Sequence, residues 1–150
     1  MFAKWCGKNS ACASWALTLM RVVLGLILIN HGWPKLFGDP SMKAGMLAFF
    51  ESTVLPAPGA MLMLAGVLEV VGGLLLILGA FTAITTTVLM LQFAVIILFV
   101  KLTKGFSSME TDLLIFSALM VLNGNGSGAM SVESMMGEKK GVSGAGHGSE

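Results

Sequence analysis

Charge is what this sequence has least of. Lys and Arg number 9 and Asp and Glu 8 in 150 residues, or 11% charged, where a soluble domain carries about 25%. A net charge of +1 supplies no basic stripe or patch, which argues against a nucleic-acid partner. Cysteine is nearly missing too. Cys6 and Cys12 make neither a disulfide framework nor a metal-ligand spacing, and in a reducing compartment they are two free thiols. No inverted repeat or matched pair of broken helices is visible, which weakens a transporter reading. Lys4 and Lys8 ahead of an apolar run look like a signal peptide. That run ends in Asn30-His31-Gly32-Trp33 with no small-residue cleavage site, so it reads as an uncleaved first span.

Apolar residues fill the space that charge leaves. They make up 55% of the chain, with 19 Gly, 12 Met, no Tyr and a mean hydropathy of +0.87. The methionines are scattered and read as apolar filler rather than a metal pathway. Between residues 57 and 100 the only formally charged side chain is Glu69. About 20 apolar residues cross a hydrocarbon core, so this run predicts two crossings joined by a tight turn within residues 79–87. Glu69 then falls near mid-membrane, where a carboxyl group is a functional candidate by default.

The full reading is an all-α, integral membrane four-helix bundle. Residues 1–14 form a polar N-terminal segment, with Ser14 as N-cap. Spans follow at about residues 15–31, 59–81, 83–100 and 108–123, and residues 124–150 form a flexible Gly/Ser-rich tail that includes His147. Pro34 predicts the end of the first span, because the residue before a proline avoids helical geometry. Residues 42–54 suit a short amphipathic helix on the membrane surface.

Arg21, Gly25, Leu28 and Gly32 share one stripe of the first span, joined by Lys35 if the helix persists that far. Arg21 either snorkels to the nearer interface or pairs with Glu69 inside the membrane. Ala65, Gly66, Gly72 and Gly73 beside Glu69 let a neighbouring helix approach closely. Gln92 sits at compatible depth and suits an interhelical hydrogen bond. A second polar layer gathers His31, Lys35, Lys101, Lys104, Glu110 and Asp112 at one membrane boundary. That layer could bind an anion or the polar head of a quinone, pass protons, or simply be a surface ion cluster. Lys4, Lys8, Lys139 and Lys140 balance Lys35, Lys43, Lys101 and Lys104, so the positive-inside rule leaves orientation open.

Several of these pieces resemble one family. Arg21 and Gly25 followed by His31-Gly32-Trp33-Pro34-Lys35-Leu36-Phe37-Gly38 resemble the first-span signature of the DoxX family. Leu55-Pro56-Ala57-Pro58 and the segment from Leu68-Glu69 through Gly72-Gly73 to Gly79 resemble its second span. Lys104-Gly105-Phe106 with Glu110, and Gly124-Asn125-Gly126 with Ser131 to Glu133, resemble its later motifs. The resemblance covers about residues 16–133.

It implies a small four-span protein of a bacterial-type inner membrane, similar to the membrane component of thiosulfate:quinone oxidoreductase. Such a protein hands electrons from reduced sulfur or a thiol toward quinone, or serves an oxidative-stress defence complex, with a partner redox subunit or as a homo-oligomer. The residues carried over are Glu69 and Arg21 as a catalytic charge or proton relay, and His31 and Lys35 as the quinone-binding pair. No metal site is implied. The chain departs from the family in its two cysteines, in Pro34 and in its long Gly-rich tail. It also lacks Cys-x-x-Cys, Rossmann and haem-ligand motifs, which leaves quinone as the one redox group to consider. The alternative is a non-enzymatic membrane scaffold, in which the same polar groups only fix helix packing.

Overall fold

The structure, a computed structural model, describes residues 10–53, 56–102 and 105–125. The expected tail beyond residue 125, Cys6, the Cys12 side chain, Lys4, Lys8, Lys104, Lys139 and Lys140 lie outside the described residues. Among those described, every element is helical: α1 (Ser10–Phe37), α2 (Pro40–Glu51), α3 (Pro58–Leu78), α4 (Thr82–Val95), prolonged by a π-helical stretch (Ile96–Lys101), and α5 (Phe106–Asn125).

Among the described residues, three stretches are long and apolar enough to cross a membrane: Ala13–Phe37, Pro58–Leu78 and Thr82–Lys101. Their outer faces carry exposed Leu19, Leu26, Leu64, Leu74, Leu91 and Leu98, as lipid-facing surfaces do. Together they make an integral membrane protein whose surroundings are a lipid bilayer. α5 carries Glu110 and Asp112 in its first half and is not among the three.

Both ends of α1 differ from expectation. Ser14 does not cap the helix but lies inside it, its carbonyl accepting from Thr18 Oγ1 at 3.0 Å. The short side chains around it offer no barrier to helix. Pro34 does not end the helix either. A proline removes one backbone bond and crowds the preceding turn. Here only the last turn follows it, and Gly38 N donates back to Pro34 O at 2.9 Å. The outcome matters because the persisting helix keeps Lys35 on the stripe of Gly25, Leu28 and Gly32.

That stripe is the face α1 presents to α3, the most extensive helix interface among the described residues. A Cβ on Gly25 would stand 2.6 Å from the Gly73 carbonyl oxygen, and one on Gly73 would stand 2.6 Å from the Gly25 oxygen. About two turns further on, a Cβ on Gly32 would meet Gly66 O at 2.8 Å. Backbone therefore rests on backbone at these two levels of the contact. This is how helices associate where no hydrophobic force between them exists.

The α3–α4 turn is tighter than the sequence suggested. Gly79 caps α3 at φ 67° and Phe81 precedes α4 at φ 50°, so three residues reverse the chain. The threonines are helical, not part of the turn: Thr86 Oγ1 donates to Thr82 O at 2.8 Å and Thr87 Oγ1 to Ala83 O at 2.7 Å. A hydroxyl bonded to the preceding turn needs no other partner in lipid. Leu24, Leu28, Leu76, Leu89, Phe93, Ile115, Leu119 and Leu122 bring α1, α3, α4 and α5 into one buried core.

Candidate functional site

α2 returns from the end of α1 and leans on α1 and α3. Its Lys43 ammonium donates to the Leu36 carbonyl near the end of α1 at 2.5 Å. Phe50 is buried. Beneath α2 lies a cavity of about 370 Å³, lined by α1, α2, α3, α5 and the π-helical stretch. His31 and Lys35 line it from α1, Glu69 from α3 and Asp112 from α5. Lys101 comes from the π-helical stretch, while Met46, Phe49, Phe50, Leu62, Ile96 and Val100 form the apolar walls.

Glu69 is 1% exposed, and its carboxylate is held by two side chains. The Lys35 ammonium lies 2.5 Å from both Oε1 and Oε2. Gln92 Nε2 donates to Oε1 at 3.0 Å and reaches the Ala65 carbonyl at 3.4 Å. Side-chain direction explains the first contact. Helical side chains tilt toward their own N-terminus, and α1 and α3 are antiparallel. The Gly32 position meets Glu69 Cβ, so Lys35 starts roughly 4.5 Å of helix rise beyond that level and tilts back toward it. Glu69 tilts up to meet it.

The same geometry corrects the expected pairing of Arg21 with Glu69. Arg21 lies about 16 Å of helix rise below the Gly32 level and tilts further away. It is 1% exposed, and it lies outside the cavity that holds Glu69. The carboxyl of Glu69 is therefore paired with Lys35 and not with Arg21.

A second ion pair joins Lys101 to Asp112, whose side chains are 25% and 6% exposed. Of the boundary residues, His31, Lys35, Lys101 and Asp112 converge on the cavity, whereas Glu110 is exposed. The inward direction of Asp112 is encoded in its helical spacing: Asp112, Ile115, Leu119 and Leu122 recur on one face and all four are buried. Glu110 is off that stripe. Lys101 gave no such sign, because its direction depends on the π-helical winding from Ile96, a distortion often found at functional sites. Phe49 and Phe50 were equally unforeseeable as cavity walls, since nothing in residues 40–51 says over which surface α2 folds.

Among known proteins, a family model described as DoxX matches residues 16–102. Comparison with curated proteins gave no match, and neither did comparison with solved structures. The matched stretch runs from α1 to the end of the π-helical stretch. It includes His31, Lys35, Glu69, Gln92 and Lys101 from the site just described. Because it spans more than half of the chain, this protein belongs to the DoxX family.

Proposed function

We propose that this chain is the membrane subunit of a quinone-linked oxidoreductase that draws electrons from reduced sulfur or thiols, or serves an oxidative-stress defence complex. The observation that carries the reading is the charge balance of the cavity. Lys35 and Lys101 offset Glu69 and Asp112, so the lining is polar but formally neutral. A neutral head bearing two carbonyl acceptors can enter such a site without burying net charge, and the ammonium groups and the His31 ring offer it N–H donors. A volume of about 370 Å³ with apolar walls suits a small ring.

The roles follow from position. His31 and Lys35 face the ring oxygen, and Glu69, held by Lys35 and Gln92, is the buried carboxyl through which protons are exchanged. Reduction of the ring to the quinol takes up two electrons and two protons. Two thiols joining as a disulfide release the same number. A partner redox subunit collects those electrons, since this sequence carries no dithiol, nucleotide or haem motif of its own.

In this reading the protein sits in a bacterial-type inner membrane and α5 makes the fourth crossing. Its 20 residues and the Ile115, Leu119 and Leu122 face turned into the common core support that placement. Cysteines introduced at Ser107 and Asn123 then label from opposite sides of the membrane; labelling from the same side refutes the crossing.

Protein purified in detergent together with its partner redox subunit, given a quinone with thiosulfate or a thiol, reduces the quinone, and His31→Ala slows that reduction at least about tenfold. Absence of turnover by that complex refutes the proposal. One observation favours the scaffold reading instead: each ion pair ties two elements together, α1 to α3 and the π-helical stretch to α5. If Glu69→Gln disturbs partner assembly and leaves every redox rate unchanged, that second reading stands.

A further inference from the structure

A second cavity of about 370 Å³ lies between α3 and α4 and differs in kind from the first. Its sides are Leu64 and Leu68 on α3 and Leu91 and Val95 on α4. Leu64, Leu91 and Val95 are 52%, 65% and 40% exposed on the outer surface, so the cleft opens toward lipid rather than water. At its inner end stand Phe50, Gln92 and Ile96. Phe50 and Ile96 also wall the polar cavity, and Gln92 donates to Glu69, which lines it. The apolar cleft and the polar chamber thus share two wall residues, Phe50 and Ile96.

From this continuity we infer that the α3–α4 cleft is the lateral access route and tail groove for the ligand of the polar cavity, an amphipathic quinone whose prenyl chain lies along Leu64, Leu68, Leu91 and Val95. The inference rests on the quinone reading of the head site and adds where the molecule enters and what holds its tail. Three features support it. Met46, Phe49 and Phe50 of α2 line the polar cavity, whereas the cleft's sides face lipid, the phase in which a prenylated quinone is dissolved. Ile96, the shared wall, is the first residue of the π-helical stretch, where regular winding gives way. Gln92 Oε1 is buried at the junction and has no hydrogen-bond partner among the described residues, so it can accept from a quinol hydroxyl leaving the chamber.

The tail gains little from the hydrophobic effect, because it leaves hydrocarbon to enter the cleft. Its contribution is packing against the cleft sides and a fixed orientation of the head. A modest but specific preference follows. In phosphatidylcholine nanodiscs, binding of a tail-less benzoquinone is compared with that of one bearing two prenyl units, after subtraction of partitioning into protein-free discs. The full chain binds the prenylated form about tenfold more tightly. Leu68→Trp with Val95→Trp fills the cleft and abolishes that preference, while tail-less binding changes by less than about twofold.

Equal binding of both compounds by the native chain, or an intact preference in the filled variant, overturns the inference and leaves the quinone reading standing. Failure of both compounds to bind overturns the two together. Should the filled variant not fold, a prenylated quinone with a diazirine on its tail gives the answer on the native chain. Adducts concentrated on residues 64–68 and 91–95 support the groove, and adducts spread evenly over the lipid-facing surface refute it.

Discussion

Truncating Lys35 tests the centre of the site most directly. Lys35→Ala leaves the Glu69 carboxylate, 1% exposed, with Gln92 Nε2 at 3.0 Å as its remaining side-chain donor. One neutral amide does not compensate a buried charge, and breaking a buried pair from one side costs about 3–5 kcal/mol. The reverse change is milder. Glu69→Gln leaves an ammonium on a side chain that is 15% exposed and flexible enough to find water, so about 1–2 kcal/mol is expected. Removing both charges together removes the mismatch. The double variant Lys35→Ala/Glu69→Gln should lie closer to the native protein than Lys35→Ala does, with a coupling of about 2–3 kcal/mol. Denaturant or thermal unfolding of the four proteins in one detergent measures that cycle. Native-like stability of Lys35→Ala, or strictly additive losses, would show that the ion pair does not govern the α1–α3 contact.

Two further contrasts probe packing and charge. Gly25→Ala places a methyl group 2.6 Å from the Gly73 backbone oxygen and 2.7 Å from Ile77 Cγ1 and should cost at least about 2–3 kcal/mol, whereas Gly45→Ala in α2 meets nothing within 4 Å and should stabilise by about 0.5–1 kcal/mol. Thermal melts of both variants decide it; equal shifts would contradict the close α1–α3 approach. Asp112→Asn strips the partner from Lys101 and should destabilise by about 2–3 kcal/mol, while Glu110→Gln, two residues away and exposed, should stay within about 0.5 kcal/mol. Similar losses at the two positions would argue that Asp112 is not turned into the bundle.

Membrane residence, the helical class and the two-crossing hairpin around Glu69 were legible in the chain itself. An apolar run of that length with a single charged residue has one stable setting, and inside lipid the backbone has to bond to itself. Legible too was the small-residue face of α3, because glycine at helical spacing has few other uses there. The convergence of His31 and Lys35 at one level could also be read, as could the compatible depth of Gln92 and Glu69. Three-dimensional structure decided which groups touch. Pro34 lies too near the end of α1 to stop it, and that alone leaves Lys35 facing α3. Antiparallel tilt then joins Lys35 to Glu69 and separates Arg21 from both. Lys101 reaches Asp112 through a change in helical winding, and α2 covers the cavity with aromatic side chains. The physical reason is common to all of these. Depth and helical face are local properties that a linear sequence encodes, whereas pairing depends on how separate helices cross and lean, which is settled only when their faces pack together.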